Sequence, residues 1–508
     1  MRSPTARHLP SLARGLCLAQ LALLPALTGS CRRETPAPRP MPTAAVAEAG
    51  LERAARTPDA APAAAPLPTW TRPSGIVDLP GGAGPAGLPT SPLDAIPPDQ
   101  LGRPTARPTE SLGLTGPSLD PEILSLMGQV DPERMLADVA HLAAYPSRHA
   151  AGADSAALRA WLLDAFEQAG AGGPAQLLTE IEPFELRLAG KRSEQGNVIA
   201  TLSGIGFSKR MIYLVAHQDS RAEDPKDAAA EAPGADDDAS GLALLLELAR
   251  VMSRRQWDGT LRFLATAAEE QGLEGARRHA AAAETAGLPI LAVIGADIVG
   301  GSLDAAGGTN AGQLRVFSEG PENAESRQLA RYAVFVAQRY RAATGLELVL
   351  VPEPDREGRE GDHLAFSAAG FPALRLIEAA EDPGRQHNAR DTVDRIDPDY
   401  LARVTRLGLA LAASLALAPP APTAPPRLEP DAGGLVASWA PVEDPAVAGY
   451  WLAWRAEGEP SWREVVWVGS GATRYVLADL AADAGVRVAV ASSSDLGHAS
   501  RFGPEASR

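Results

Sequence analysis

From about Leu119 the chain acquires a helical rhythm. Met135, Val139 and Leu142, then Leu158, Leu162, Leu163 and Phe166, recur at helical spacing and predict two helices that open a packed domain. Short apolar runs at 197–202, 211–216, 261–267, 290–296, 348–351 and 373–377 read as buried strands, and segments at 241–253, 275–286 and 325–343 read as helices between them. Strands alternating with helices predict an α/β domain over 119–418, a doubly wound, mostly parallel sheet with helices on both faces. A last helix, 398–417, is too short and too rich in alanine to read as a membrane span. After a Pro-rich linker at 419–426, alternating runs at 435–439, 450–454, 475–477 and 486–490 make 427–508 a small all-β sandwich.

The first 118 residues carry neither period. Arg2, Arg7 and Arg14 precede an apolar stretch at 16–27 and the small residues Gly29 and Ser30, the layout of an export signal over 1–31. Such a stretch falls short of the roughly 20 residues a membrane helix needs. Leu27-Thr28-Gly29-Ser30-Cys31 is similar to a bacterial lipoprotein signal, although Thr28 stands where those signals usually carry leucine. That resemblance implies lipidation of Cys31 and a periplasmic or cell-envelope protein held to a membrane; plain cleavage, leaving a free thiol and a secreted protein, is the alternative. Residues 32–118 hold 18 of the 45 prolines, so they cannot bury enough apolar surface to offset ordering entropy and read as a disordered tether.

Composition then narrows the chemistry. Lys+Arg 47 against Asp+Glu 63 leaves a formal charge of −16, which argues against a nucleic-acid partner, because phosphate binding rests on basic residues. The two cysteines, Cys17 and Cys31, both precede the folded part, which excludes a disulfide framework or a thiolate metal site there.

In an open parallel sheet, reacting groups gather beyond the carboxyl ends of the strands. There this chain places His217-Gln218-Asp219 after one strand, Glu269-Glu270 after another, Asp297 directly after a third, and a loop reaching His387 after a fourth. An acidic turn, Asp236-Asp237-Asp238, precedes the helix at 241. Singly these read as a surface histidine, an acidic first turn and an N-cap. Converging on one edge, they would repel one another unless cations neutralised them, and a mixture of carboxylate and imidazole suits divalent metals.

The motifs Ala216-His217-Gln218-Asp219-Ser220, the run from Ala232 to Gly241, Glu269-Glu270-Gln271-Gly272-Leu273, Asp297-Ile298-Val299-Gly300 and Gln386-His387-Asn388-Ala389-Arg390-Asp391-Thr392 together resemble metallopeptidase family twenty-eight. The resemblance covers about Leu124 to Leu417. It implies the zinc exopeptidase fold, two Zn2+ per chain, and a peptide substrate cut by a metal-activated water. Residue by residue, it implies one zinc on His217, Asp237 and Asp297 and the other on Asp237, Glu270 and His387. Asp219 would orient the His217 imidazole and Glu269 would be the general base. The Asp237–Asp238 peptide is expected to be cis, and Asp362 and His363 to lie near the site without binding metal. His141, His149, His279 and His498 match no ligand position. Size and the appended module favour an aminopeptidase; a glutamate carboxypeptidase-like enzyme, a glutaminyl cyclase-like acyltransferase and a non-catalytic binding protein on the same scaffold are the alternatives.

The last 80 residues are similar to a fibronectin type III module, in Trp439, Tyr450, Leu477, Leu480 and the segment 491–498. No catalytic candidate lies among them. The tail is therefore expected to dock to a protein or polysaccharide partner and to be dispensable for hydrolysis of small amides.

Overall fold

A computed structural model describes residue 114 and residues 116–508, except 189–190, 207–208, 357–358, 432–433, 470, 479 and 481–484. The export signal, Cys31 and nearly all of the tether lie outside the described residues.

Three helices, one more than expected, open the domain: α1 (Pro121–Met127), α2 (Pro132–Ala143) and α3 (Ser155–Gly170). Asp120 and Asp131 cap the first two by accepting from the N–H groups of Glu122 and Glu133, and each helix begins on proline, whose missing N–H costs nothing there. A hairpin follows, β1 (Leu177–Leu188) and β2 (Lys191–Leu202), then β3 (Met211–His217), α4 (Ala239–Met252), β4 (Thr260–Thr266), α5 (Glu274–Thr285), β5 (Ile290–Ala296) and β6 (Gln313–Ser318). Next come α6 (Glu325–Arg339), a short α7 (Arg341–Thr344), β7 (Glu347–Leu350), α8 (His363–Ala368), β8 (Ala373–Glu378) and α9 (Pro398–Leu417).

The eight strands form one sheet in the order β1-β2-β4-β3-β5-β8-β6-β7. Its centre, β4-β3-β5-β8, is parallel, so the carboxyl ends of those four strands share an edge. The antiparallel β1-β2 hairpin and the β6-β8 pairing lie outside the sequence expectation. Along β3 the period of two is visible in the packing. Ile212, Leu214 and Ala216 enter the larger core, under α1 to α4, α6 and α9, while Tyr213 and Val215 enter the core under α5 and α8. The apolar α9 would be long enough to cross a membrane, but 83% of its most apolar window is buried in this larger core.

Two further sheets, β13-β10-β9 and β12-β11-β14-β15, make up the C-terminal part; they comprise β9 (Arg427–Asp431), β10 (Gly434–Ser438), β11 (Gly449–Ala456), β12 (Glu464–Gly469), β13 (Arg474–Leu477), β14 (Val486–Ser493) and β15 (Ala506–Ser507). They face each other across Leu435, Ala437, Tyr450, Leu452, Val488 and Val490. The other face of β11 and β14, with Trp451, Ala453, Ala489 and Ala491, belongs to the larger core of the α/β part. Trp451 packs against Phe335 of α6 with ring centroids 5.2 Å apart. Polar contacts complete the seam: the Tyr332 hydroxyl donates to Ala499 O at 2.9 Å, Arg339 donates to Gly497 O at 2.7 Å, and Arg331 donates to Pro460 O at 2.7 Å. The C-terminal sheets thus share a core with the α/β part.

Candidate metal centre

Each expected residue arrives at the shared sheet edge by a local cause. His217 ends β3 and Asp297 follows β5, so both side chains leave buried strands. Asp238 caps α4: its Oδ1 accepts from Gly241 N–H at 2.9 Å, and its Oδ2 accepts from His217 N–H at 3.1 Å, which ties the helix start to the strand end. A Cβ on Gly241 would meet Ala296 O at 2.3 Å, so only glycine lets α4 approach β5 this closely. The Asp237–Asp238 peptide is cis. Ala268, Ile298 and His387, beside or within the ligand positions, adopt left-handed φ of 59°, 60° and 58°, which for a β-branched residue such as Ile298 is a strained conformation held by its surroundings.

The side chains converge. Asp237 sits between two imidazoles, its Oδ1 3.1 Å from His217 Nε2 and its Oδ2 3.2 Å from His387 Nε2. Asp297 spends Oδ2 on Arg375 at 3.0 Å and turns Oδ1 toward His217 Nε2 at 3.8 Å. Glu270 likewise spends Oε2 on Arg221 at 2.7 Å, leaving Oε1, buried and without a hydrogen-bond donor, 3.4 Å from His387 Nε2. Two groups of candidate ligand atoms result, His217-Asp237-Asp297 and Asp237-Glu270-His387, each within 4.8 Å and sharing Asp237. Glu269 also comes within this distance of His217 and Glu270, so geometry alone offers it both as a ligand and as a free base.

Asp219 works differently from the expectation. The His217 Nδ1 nitrogen lies 3.0 Å from the Asp219 carbonyl oxygen, and 3.8 Å from its carboxylate. A proton on Nδ1 donated to that carbonyl leaves Nε2 free for a cation. The Asp219 carboxylate instead accepts from the backbone N–H groups of Glu269 and Glu270, each at 3.1 Å, and so positions both glutamates.

Three supporting residues have no role assigned from sequence, although Asp391 stands in the last motif quoted. Asp391 accepts from the N–H groups of Asp236 and Asp237 at 2.9 and 3.0 Å, clamping Asp237 to the loop that carries His387. Arg148, fully buried, donates to Gln218 O at 3.1 Å and Gly234 O at 2.9 Å, and its charge faces Asp391, Asp238, Asp219 and Asp237. Arg375 lies inside the wholly buried strand β8, which was the signal that could have found it. Asp362 accepts a hydrogen bond from the Thr266 hydroxyl, and neither it nor His363 joins a ligand group. His141 stacks on Trp161, His149 contacts Pro225 O, His279 contacts Glu182 and His498 contacts Asp120, and none of the four joins a candidate ligand group.

Charge makes the case for cations. Burial pushes Glu269 and Asp238 well above the usual carboxylate range, Asp236 up to about 6, and Asp362 and Asp391 up to about 7. Burial also opposes ionisation of Asp237, but hydrogen bonds from both imidazoles hold it well below that range. Divalent ions would relieve so many crowded carboxyl groups, and two imidazoles with three carboxylates form a donor set that fits zinc. A cavity of about 360 Å3 opens onto these residues.

Residues 197–412 match the model of Peptidase family M28. A probable zinc metalloprotease of Pyricularia oryzae is 32% identical over 400 residues, covering 70% of this chain and 79% of its own length. Among solved structures, the LapA aminopeptidase of Legionella pneumophila aligns with a TM-score of 0.47 at 21% identity, over 57% of this chain and 74% of its own. A glutaminyl cyclase of Fimbriiglobus ruber aligns with a TM-score of 0.43 at 21% identity, over 56% and 95%.

Proposed function

We propose, for a chain that belongs to peptidase family M28 and hence to the zinc metallopeptidases, that it is an exported dinuclear exopeptidase removing N-terminal residues from peptides. The observation that carries this reading is the sharing of Asp237, one oxygen toward each imidazole, between two otherwise complete ligand groups. His217, Asp237 and Asp297 would hold one zinc, and Asp237, Glu270 and His387 the other. When bound, such a pair acidifies water and polarises the scissile carbonyl.

The chain's own residues supply the rest. Glu269, 8% exposed and lining the cavity, is placed to take a proton from the attacking water and hand it to the departing amine. Asp219 fixes Glu269 through its backbone N–H, so base and ligand keep their spacing. The complete second ligand group favours peptide hydrolysis over the cyclase alternative, which works with one zinc. Residues 1–31 would direct export and Cys31 would anchor the protein to a membrane, with the tether giving reach; the module's outward surface would serve a protein or polysaccharide partner.

The test is metal content against activity on a peptide library scored for which end shortens. Chelation should abolish cleavage, and zinc should restore it with about two ions per chain. Full activity at one ion per chain, or shortening from the carboxyl end alone, would overturn the corresponding part of the proposal.

A further inference from the structure

A second cavity, of about 380 Å3, opens between α2, α3 and α4 and shares no lining residue with the one at the metal centre. Its volume falls in the range of small-molecule sites, about 300–1,000 Å3. Helical spacing builds it. Positions 134, 137, 138 and 141 of α2 recur at intervals of three to four, as do 161, 164, 165, 168 and 169 of α3, so one face of each helix turns toward the space. Alanine at 137, 165 and 169 leaves room that larger side chains would fill.

Its positive charges are already engaged. Arg134 pairs with Asp131 at 2.6 Å and with Glu247 at 3.4 Å, and Arg250 donates to Glu247 at 2.9 Å and to Gln129 O at 2.6 Å. Asp164 accepts from Gln168 at 2.6 Å. The half-buried side chain of Asp138 has neither a hydrogen bond nor an ion pair among the described residues. Counting the lining residues and their ion-pair partners, the carboxylates of Asp131, Asp138, Asp164 and Glu247 face only the guanidiniums of Arg134 and Arg250. Burial and Glu247 push the Asp138 carboxyl up to about 6, so at neutral pH it remains an anion held against its surroundings. A charge kept at a cost to stability in a concave site marks a binding residue. An aromatic surface stands within reach. Asp138 lies one helical turn before His141, and His141 stacks on Trp161 with centroids 4.3 Å apart and planes at 17°, which holds the indole in one orientation in the cavity wall.

We infer that this cavity binds a small, flat organic cation of the amidinium or guanidinium type, its N–H donors on the Asp138 carboxylate and its π-system against Trp161. A planar, delocalised cation satisfies both walls at once. It presents parallel donors to a carboxylate and is weakly enough hydrated to lie on an aromatic ring. An anion would meet guanidiniums already paired with Asp131 and Glu247, and a neutral ligand would leave the Asp138 charge uncompensated.

Calorimetric titration of the full, zinc-loaded chain with benzamidine, and with benzamide as its neutral isostere, tests the site. Benzamidine should bind, and benzamide should bind more weakly by about tenfold or more, the effect of losing a charge-assisted hydrogen bond. Asp138→Asn keeps the shape and removes the charge. It should weaken benzamidine binding by about tenfold or more while its Tm holds or rises, which shows that the variant is folded. Ala165→Leu, which fills the space without altering a charge, should abolish binding and so tests the location independently of Asp138. Benzamidine bound equally well by Asp138→Asn or by Ala165→Leu sits elsewhere and overturns the site. Equal binding of benzamide, or no binding of benzamidine, overturns it as well. None of these readouts involves cleavage, so the result stands apart from the peptidase reading.

Discussion

Trp451→Ala tests whether the C-terminal layer and the peptidase layer unfold as one body. Trp451 is fully buried, lies edge-on to Phe335 of α6, has Trp467 5.2 Å away, and carries Arg339 5.0 Å over its ring. Removing such a side chain from a core costs about 3–5 kcal/mol, to which the lost aromatic contact adds about 0.5–1.5 kcal/mol. For a body spanning residues 116–508, an unfolding entropy of about 2.1 cal/mol/K per residue amounts to roughly 0.8 kcal/mol/K, so a loss near 4 kcal/mol lowers Tm by about 5 °C. Calorimetry and the temperature of half-inactivation, measured on the same zinc-loaded samples, should move down together. An early transition for the sandwich alone, with the inactivation midpoint unmoved, would refute the shared core. On the same reasoning, deletion of 423–508 strips α6 of its cover and should give an insoluble or inactive protein, against the expectation from sequence that small-amide hydrolysis would survive.

Three further outcomes are expected. Glu269→Gln should keep two zincs while kcat falls by about 10²–10⁴-fold, whereas Glu270→Gln should lose affinity for one ion and be partly rescued by excess zinc; the reverse pattern would exchange their roles. On α2, burial and the neighbouring Glu247 raise Asp138 to about 6 from an ordinary value of 3.8, with Arg134 opposing. The folded state therefore holds this proton more tightly, its contribution to stability is present below about pH 4 and is lost as pH rises through about 6, and Asp138→Asn should stabilise by on the order of 1–2 kcal/mol at pH 7.5 and by less at pH 5; a gain in Tm independent of pH would contradict this. Cys31→Ser should move the protein from the membrane to the soluble exported fraction, and unchanged membrane association would reject the anchor.

Much of the centre was legible because its side chains sit where apolar runs stop. His217 ends and Asp297 directly follows a strand whose burial is evident from composition, and Glu269-Glu270 follows β4 with little intervening chain. The supporting residues were hidden because their work is done by contact across the chain. Asp391 grips the backbone of Asp236 from 155 positions away, and nothing local marks Arg148 as buried. Strand β6 presents no continuous apolar run because Arg315 interrupts it, although that guanidinium is turned to Glu378 O and Glu381. β1 is an edge strand with a largely solvated face, so its apolar signal is weak. The seam did leave a trace: the run 450–454, grouped above with the alternating strands, is apolar at every position, and a strand with two dry faces needs such a run.

The seam also imposes an order in time. Ribosomes release α6 well before the strands that cover it, and Tyr332 must wait for Ala499, 167 positions later in the chain, to receive its hydroxyl. Until then one side of the nascent peptidase layer presents Phe335 and its neighbours to whatever else is sticky nearby. A growing chain of this protein is therefore an unfinished surface for about the last third of its length, from the end of α6 at Arg339 to Arg508, and its ligand groups can be complete in sequence before the body that holds them is closed. Hydrolytic competence should consequently arrive late, once the C-terminal strands have covered α6.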